Sequence, residues 1–280
     1  MASSPQMNLA RQYTNPSKAP NLRHGFTLVE LSIVIAVFGL IVGGVLVGKS
    51  MTRKAALRSV IVDFQTYKAA IRSFNEQYGY MPGDFPTATK IWGGQDGTTT
   101  EGTTAGCLAY TSASPATGIA TCNGNGDGII NTNQAETFRA WQHLANAGLI
   151  EGRFSGVPGA AGVSAVVVGT NVPKSRIASG GWSFFYLGDY GDASWYTQKW
   201  GYVITFGANG AAENDYANNP LLIAQEAANI DTKLDDGKPN SGIVETWRTA
   251  ANPNCVVAAD NAYTLTSQTA ACTMIFMLGY

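Results

Sequence analysis

Between Gly25 and Gly48 the chain is apolar at nearly every position, and Glu30 is the one ionisable side chain from Phe26 to Gly48. About 23 residues rising 1.5 Å each cover the roughly 30 Å hydrocarbon core of a bilayer. A soluble-core helix of that length keeps a polar stripe, and here no face carries one. The run therefore predicts a transmembrane helix over residues 26–48. Beyond Gly48 the pattern changes without breaking: Val60, Phe64, Tyr67, Ile71, Phe74 and Tyr78 recur at alternating intervals of four and three, while Arg58, Asp63, Lys68, Arg72 and Glu76 fall largely off that stripe. This predicts an amphipathic continuation of the same helix over residues 49–80, ended by Gly79 and Pro82. Gly39, Gly43, Gly44 and Gly48 cost helix stability in water and predict local bending or melting there during assembly.

Further along, the periodicity alternates between helix and strand. Residues 136–150 read as a helix with Phe138, Trp141 and Leu144 apolar, and residues 219–230 as another that starts at Pro220. Strands are predicted at Val163–Val168, Trp182–Leu187, Trp200–Phe206 and Met274–Leu278, which are rich in aromatic and β-branched residues. Met81 to Pro86 reads as a compact turn at the helix exit, and Gln95 to Thr121 as a long Gly/Thr/Ser/Ala surface loop.

Composition narrows the setting. The 280 residues suffice for the apolar helix plus one globular domain, and a charged fraction of only 13% with 32 glycines suits a loop-rich exported protein. Residues 1–25 carry Arg11, Lys18 and Arg23 and no acid, so this stretch marks the cytoplasmic side of a membrane and places the C-terminus outside. Without it, 15 basic residues face 19 acidic ones, and a net charge near −4 gives no reason to expect nucleic-acid binding. A secretory signal is disfavoured because the sequence after the apolar run lacks a small-residue cleavage pattern. Cys107 with Cys122 and Cys255 with Cys272 each bracket a short loop, an even count that predicts disulfides in an exported chain. Of the three possible connectivities the two local pairs are favoured, and zinc is the alternative.

Candidate chemistry is sparse. Asn123-Gly124-Asn125-Gly126-Asp127-Gly128-Ile129 places oxygen side chains at alternate positions ahead of a glycine, like the front half of a calcium loop. Asn123, Asn125, Asp127 and Glu136 are the candidate Ca²⁺ ligands, with the Ile129 carbonyl beside them; Asn at the first position and Gln134 at the twelfth lower the charge and the affinity. Asp231, Asp235 and Asp236 make a second acidic stretch that could hold a second cation, within sequences that are also those of ordinary turns. His143 is predicted as a helix-surface or interface histidine rather than a catalytic one. No histidine cluster, nucleophile elbow or phosphate loop points to an enzyme, although a carboxylate-pair hydrolase leaves no spacing to read.

Glu30 then needs a purpose, since a carboxylate in a membrane helix costs about 2.5–3.5 kcal/mol unless paired or near the interface. Gly25-Phe26-Thr27-Leu28-Val29-Glu30, preceded by Arg23 and followed by the apolar run, resembles the processing site of type IV prepilins and type II secretion pseudopilins. The resemblance implies cleavage after Gly25 by a prepilin peptidase, methylation of the new N-terminus at Phe26, and a role for Glu30 in aligning subunits during filament assembly. It also implies an α+β fold, in which a long N-terminal helix packs on a small antiparallel β-sheet with long loops. The expected organisation is a basic leader at 1–25, a transmembrane helix at 26–48, its amphipathic continuation at 49–80 and an exported pilin-like domain at 81–280. The implied partners are the peptidase, other pilin or pseudopilin subunits and the assembly machinery of a bacterial inner membrane, with the C-terminus periplasmic or extracellular. The alternative is a monomeric membrane-anchored binding protein recognising glycan or protein.

Overall fold

Helix α1, Leu28–Tyr78, is 51 residues long and dominates the computed structural model, which describes residues 25–94, 118–131, 136–162, 164–192, 196–209, 216–247, 254–257 and 262–279. The chain divides into two compact units, Met1–Lys49 and Ser50–Tyr280. In the first, the described residues are the non-helical Gly25 to Thr27 and the opening turns of α1. An 18-residue window of α1 has a mean hydropathy of 2.7 and is not buried at all within the chain. Phe26 and Leu40 are 89% and 78% exposed. This segment meets the physical requirements of a single membrane span. The helix runs unbroken through Gly39, Gly43, Gly44 and Gly48, and a Cβ added at any of these would meet nothing within 4 Å.

In the second unit the predicted stripe is the buried face. Val60, Phe64, Ile71 and Phe74 lose nearly all their solvent exposure, each burial stabilising the fold by about 1.5–3 kcal/mol. The sheet beneath them runs in the order β1-β2-β6-β3, all antiparallel, from β1 (Gly180–Tyr190), β2 (Gln198–Ala208), β3 (Val244–Glu245) and β6 (Met274–Met277). Phe64 stacks on Phe276 of β6 at 4.5 Å, and Tyr67 meets Trp182 of β1 edge-on at 5.4 Å. The long β1–β2 pairing sets Trp182 opposite Phe206 and Phe184 opposite Ile204, with an irregularity at Gly188. A separate two-stranded ribbon joins β4 (Val256–Val257) to β5 (Ala262–Tyr263).

Three short helices among the described residues complete the second unit. α2 (Ala88–Trp92) follows the turn after α1, and α3 (Glu136–Asn146) is buried at every position from Glu136 to Leu144. α4 (Ala224–Leu234) is held against α1 by Arg53, whose Nε and Nη2 donate to the two Glu226 carboxylate oxygens at 2.6 Å each.

The structure departs from the sequence pattern at three elements. Helix α4 begins four residues past Pro220, because Leu221 and Leu222 pair in extended conformation with Cys272. Among its described residues, 163–168 is a chain of turns with a bridge at Val168 and not a strand; the Asn171 side chain takes the Val167 amide at 2.7 Å and donates to the Ala165 carbonyl at 2.9 Å. The α2 turn has too few residues to declare a period and was not predicted. Most of the 95–121 loop, Cys107, Gln134 and leader residues 1–24 lie outside the described residues.

Candidate processing site, loop and acidic cluster

Gly25 and Phe26 are exposed and non-helical, immediately before α1. Thr27 and Glu30 form a reciprocal cap: the Thr27 amide and hydroxyl both donate to Glu30 Oε2 at 2.8 Å, and the Glu30 amide donates to Thr27 Oγ1 at 3.2 Å. This is the capping-box arrangement of a Thr followed three residues later by a Glu, which satisfies amides that the helix start leaves unpaired. The carboxylate also sits where the helix dipole favours negative charge. The sequence shows the carboxylate and its odd location, and the Thr-x-x-Glu spacing carried the cap as well. The three residues of the predicted processing and assembly signal thus lie together at one helix start, with Glu30 held by its own chain.

In the 123–131 segment the candidate ligand oxygens take local hydrogen bonds. Asn123 Oδ1 accepts the Thr89 amide at 2.8 Å, in the first turn of α2. Asn125 and Asp127 bond to each other, and Asp127 Oδ1 accepts the Ile129 amide at 2.8 Å. Glu136, fully buried at the start of α3, accepts the Asn131 amide at 2.8 Å and the Asn125 amide at 3.4 Å. The segment's amides, rather than its carbonyls, converge on a group absent from the sequence reading. Asp84 Oδ1 accepts Gly126 N at 2.5 Å and Asp127 N at 3.2 Å, and Asp84 Oδ2 accepts Gly128 N at 2.8 Å. Successive amides aimed at one anion form a nest, and the anion here is a side chain of the same molecule. Tyr202 donates to the Gly128 carbonyl and the Tyr186 amide to the Ile130 carbonyl, so the nest is also tied to β2 and β1. Burial pushes the Asp84 carboxyl up, and burial beside Asp84 and Asp127 pushes Glu136 up to about 7.

His143 is fully buried, so of the helix-surface and interface positions open to it in the sequence it takes the second. Its Nδ1 accepts the Gly83 amide at 3.0 Å, which leaves Nε2 to carry the proton toward Thr121 Oγ1 at 3.0 Å and the Cys122 carbonyl at 3.2 Å. Burial, aided by the Arg139 charge, depresses the imidazole to about 3. Gly83 follows from this contact: its φ of +93° disfavours any side chain, and a Cβ there would overlap the Glu136 carbonyl. The Met81–Pro86 turn is therefore the point where α1, α3 and the nest meet.

Cys255 and Cys272 are bonded, closing a segment of 17 residues that holds the β4–β5 ribbon. Cys122 is also disulfide-bonded, and its expected partner Cys107 lies outside the described residues. A separate cluster forms where α4 ends: Asp231, Asp235 and Asp236 each bring one carboxylate oxygen within 4.8 Å of the others. Asp231 accepts the Tyr263 hydroxyl at 2.8 Å and the Gly237 amide at 3.0 Å, while burial and the neighbouring acids raise it to about 7. These groups could hold a metal ion.

Residues 20–46 match the prokaryotic N-terminal methylation motif, the signature of type IV prepilins and pseudopilins. That match supports a precursor of the pilin or pseudopilin type, α1 is the one described helix long and apolar enough to anchor the chain in a membrane, and a long N-terminal helix on a small antiparallel sheet fits a pilin-like α+β architecture. Neither a curated protein nor a solved structure gave a match to the chain.

Proposed function

We propose that this protein is a structural subunit of a type IV pilus or a type II secretion pseudopilus. It is inserted in the bacterial inner membrane with its C-terminal domain outside, cut after Gly25 by a prepilin peptidase, methylated at Phe26 and assembled through α1 with other pilin or pseudopilin subunits. The observation that carries this reading is the pairing of the methylation motif over residues 20–46 with an apolar helix that finds no burial within its own chain. Lipid covers such a surface before assembly, and the helices of neighbouring subunits cover it afterwards. The four glycines of that segment have open space at Cβ within the chain, which fits close approach of a second helix or local unwinding at assembly.

Glu30 has two uses in this account. In the single chain it caps its own helix, which lowers the cost of holding a carboxylate at the membrane surface. In a filament the new amine of Phe26 on a neighbour is the stronger partner, a charge where Thr27 offers only neutral donors. Glu30→Ala is therefore expected to leave membrane insertion intact and to reduce incorporation into filaments at least several-fold, measured as sheared filament yield against membrane-extracted subunit. An unchanged ratio would favour a monomeric anchored binding protein, which has no use for that charge beyond the cap.

A further inference from the structure

Between Glu30 and Asp63 the chain carries four basic residues, Lys49, Arg53, Lys54 and Arg58, and no acid. All four follow the apolar run, on the flank that the proposed topology exports. Basic residues beside a membrane span ordinarily gather on its cytoplasmic side, yet residues 1–25 hold only Arg11, Lys18 and Arg23. The cations of the exported flank therefore need a use of their own.

Arg53 has one within the fold, where it holds the first turn of α4 through Glu226. Beside that ion pair a groove of about 240 Å³ opens between α1 and α4. Its apolar lining is Leu57 and Ile61 of α1, both half-buried, and the buried Ile230 of α4; its polar lining is Lys54, Arg58 and Lys233 together with Asn229. The groove thus holds three cations and no acid. Lys54, Arg58 and Lys233 are exposed, and none of them belongs to either ion pair found among the described residues. Charges of one sign lining a groove focus their potential into it, which favours an anion there.

Position narrows the choice of anion. Lys54 and Arg58 stand six and ten residues past Gly48 in the same helix, about 9 and 15 Å of rise. Helical side chains lean toward the helix N-terminus, which for these two is the membrane side. Lys and Arg stems lie along apolar surface while their charged ends reach the headgroup level, a layer roughly 5–8 Å deep on each face of the bilayer. An acidic peptide would satisfy the cations alone. An anionic phospholipid, a phosphodiester on an apolar body, satisfies the cations and the Leu57–Ile61–Ile230 lining together.

We propose that the groove between α1 and α4 binds one anionic phospholipid of the leaflet facing the exported domain, with Lys54 and Arg58 at its phosphodiester and Lys233 at the α4 side. The bound lipid ties the start of the exported domain to the membrane surface. This rests on the membrane-spanning reading of α1 and not on filament formation, so it holds equally for a monomeric anchored protein.

Native mass spectrometry of the full chain in a neutral detergent, titrated with phosphatidylglycerol or phosphatidylcholine, tests the proposal. The expected result is one phosphatidylglycerol held per chain, at least about tenfold tighter than phosphatidylcholine. A cation at an anionic lipid surface strengthens binding about fivefold, so Lys54→Gln with Arg58→Gln is expected to weaken phosphatidylglycerol binding about 20–30-fold and leave phosphatidylcholine unchanged. Both side chains are exposed, so the variant keeps its core. Lys174→Gln with Lys199→Gln removes two exposed cations outside the groove and is expected to keep the preference. Equal binding of the two lipids by the wild-type chain, a preference that survives in the Lys54 and Arg58 variant, or an equal loss in the control would each overturn the proposal. A Lys54 and Arg58 variant that loses self-association while keeping its lipid preference would assign the groove to an acidic face of a second copy, and would overturn it too. The lipid preference does not depend on cleavage after Gly25, so its absence leaves the filament assignment standing, and an uncleaved leader leaves the lipid preference standing.

Discussion

Removing the Asp84 carboxylate tests the nest from its centre. Asp84→Ala deletes the acceptor of three amide hydrogen bonds, at 2.5, 3.2 and 2.8 Å. A hydrogen bond to a charged acceptor contributes roughly 1.5–3 kcal/mol, which gives a ceiling of about 5–9 kcal/mol for three. Two effects lower it. Gly126, Asp127 and Gly128 are exposed, so water can reach their amides once the carboxylate is gone, and burial already opposes the charged form of Asp84. A net loss of about 2–4 kcal/mol remains, or a fall in Tm of about 5–15 °C for a domain of this size. Thermal unfolding of the full chain in detergent reads this, and limited proteolysis is expected to show faster cleavage within residues 123–131. Asp127→Ala is the matched control: its side chain serves only exposed neighbours in the same segment, so its loss is expected to stay under about 1 kcal/mol. A Tm for Asp84→Ala within a degree of wild type, or an Asp127→Ala loss as large, would refute the nest.

Two other predictions rest on single groups. His143 is the one histidine after residue 25, and its imidazole, depressed to about 3, stays neutral where an unfolded histidine at 6.5 is charged. Its folded pKa is the lower one, so the stability it contributes is present above pH 6.5 and is lost as pH falls from 6.5 toward 3. The single histidine resonance of the processed chain is expected not to titrate between pH 8 and pH 4, and a midpoint near 6.5 would contradict its burial. Replacing Cys255 and Cys272 by serine opens a loop of 17 residues, a loss of about 3 kcal/mol in the chain-entropy model, read as reduced urea resistance; an unchanged midpoint would show that the β4–β5 ribbon holds itself.

How far the sequence can be read follows from how local each signal is. The buried face of α1 was legible because Val60, Phe64, Tyr67, Ile71 and Phe74 repeat within a few turns, and β1 and β2 were legible from aromatic and β-branched runs. Glu30 stood out because a lone charge in an apolar run has no ordinary reason to be there. Asp84 was not legible: it lies more than 40 residues from the amides it binds, inside a sequence that is already a sufficient turn. Asn123 and Asp127 show a signal with two readings. Their spacing has the form of a cation loop, yet the oxygens of Asn123, Asn125 and Asp127 accept or share local hydrogen bonds that the spacing alone serves equally well. The late start of α4 has a distant origin, since Leu221 and Leu222 give up helix for pairing with Cys272, a partner about 50 residues away.

The assignment as a processed filament subunit rests on the bond between Gly25 and Phe26. Mass analysis of the N-terminal peptide from membrane-extracted protein, expressed with a prepilin peptidase, tests it most directly. The expected result is a chain beginning at Phe26 with one added methyl group on its amine, and a chain that retains residues 1–25 when the peptidase is absent. A leader left intact in the presence of the peptidase, or a cut beyond Gly48, would contradict it.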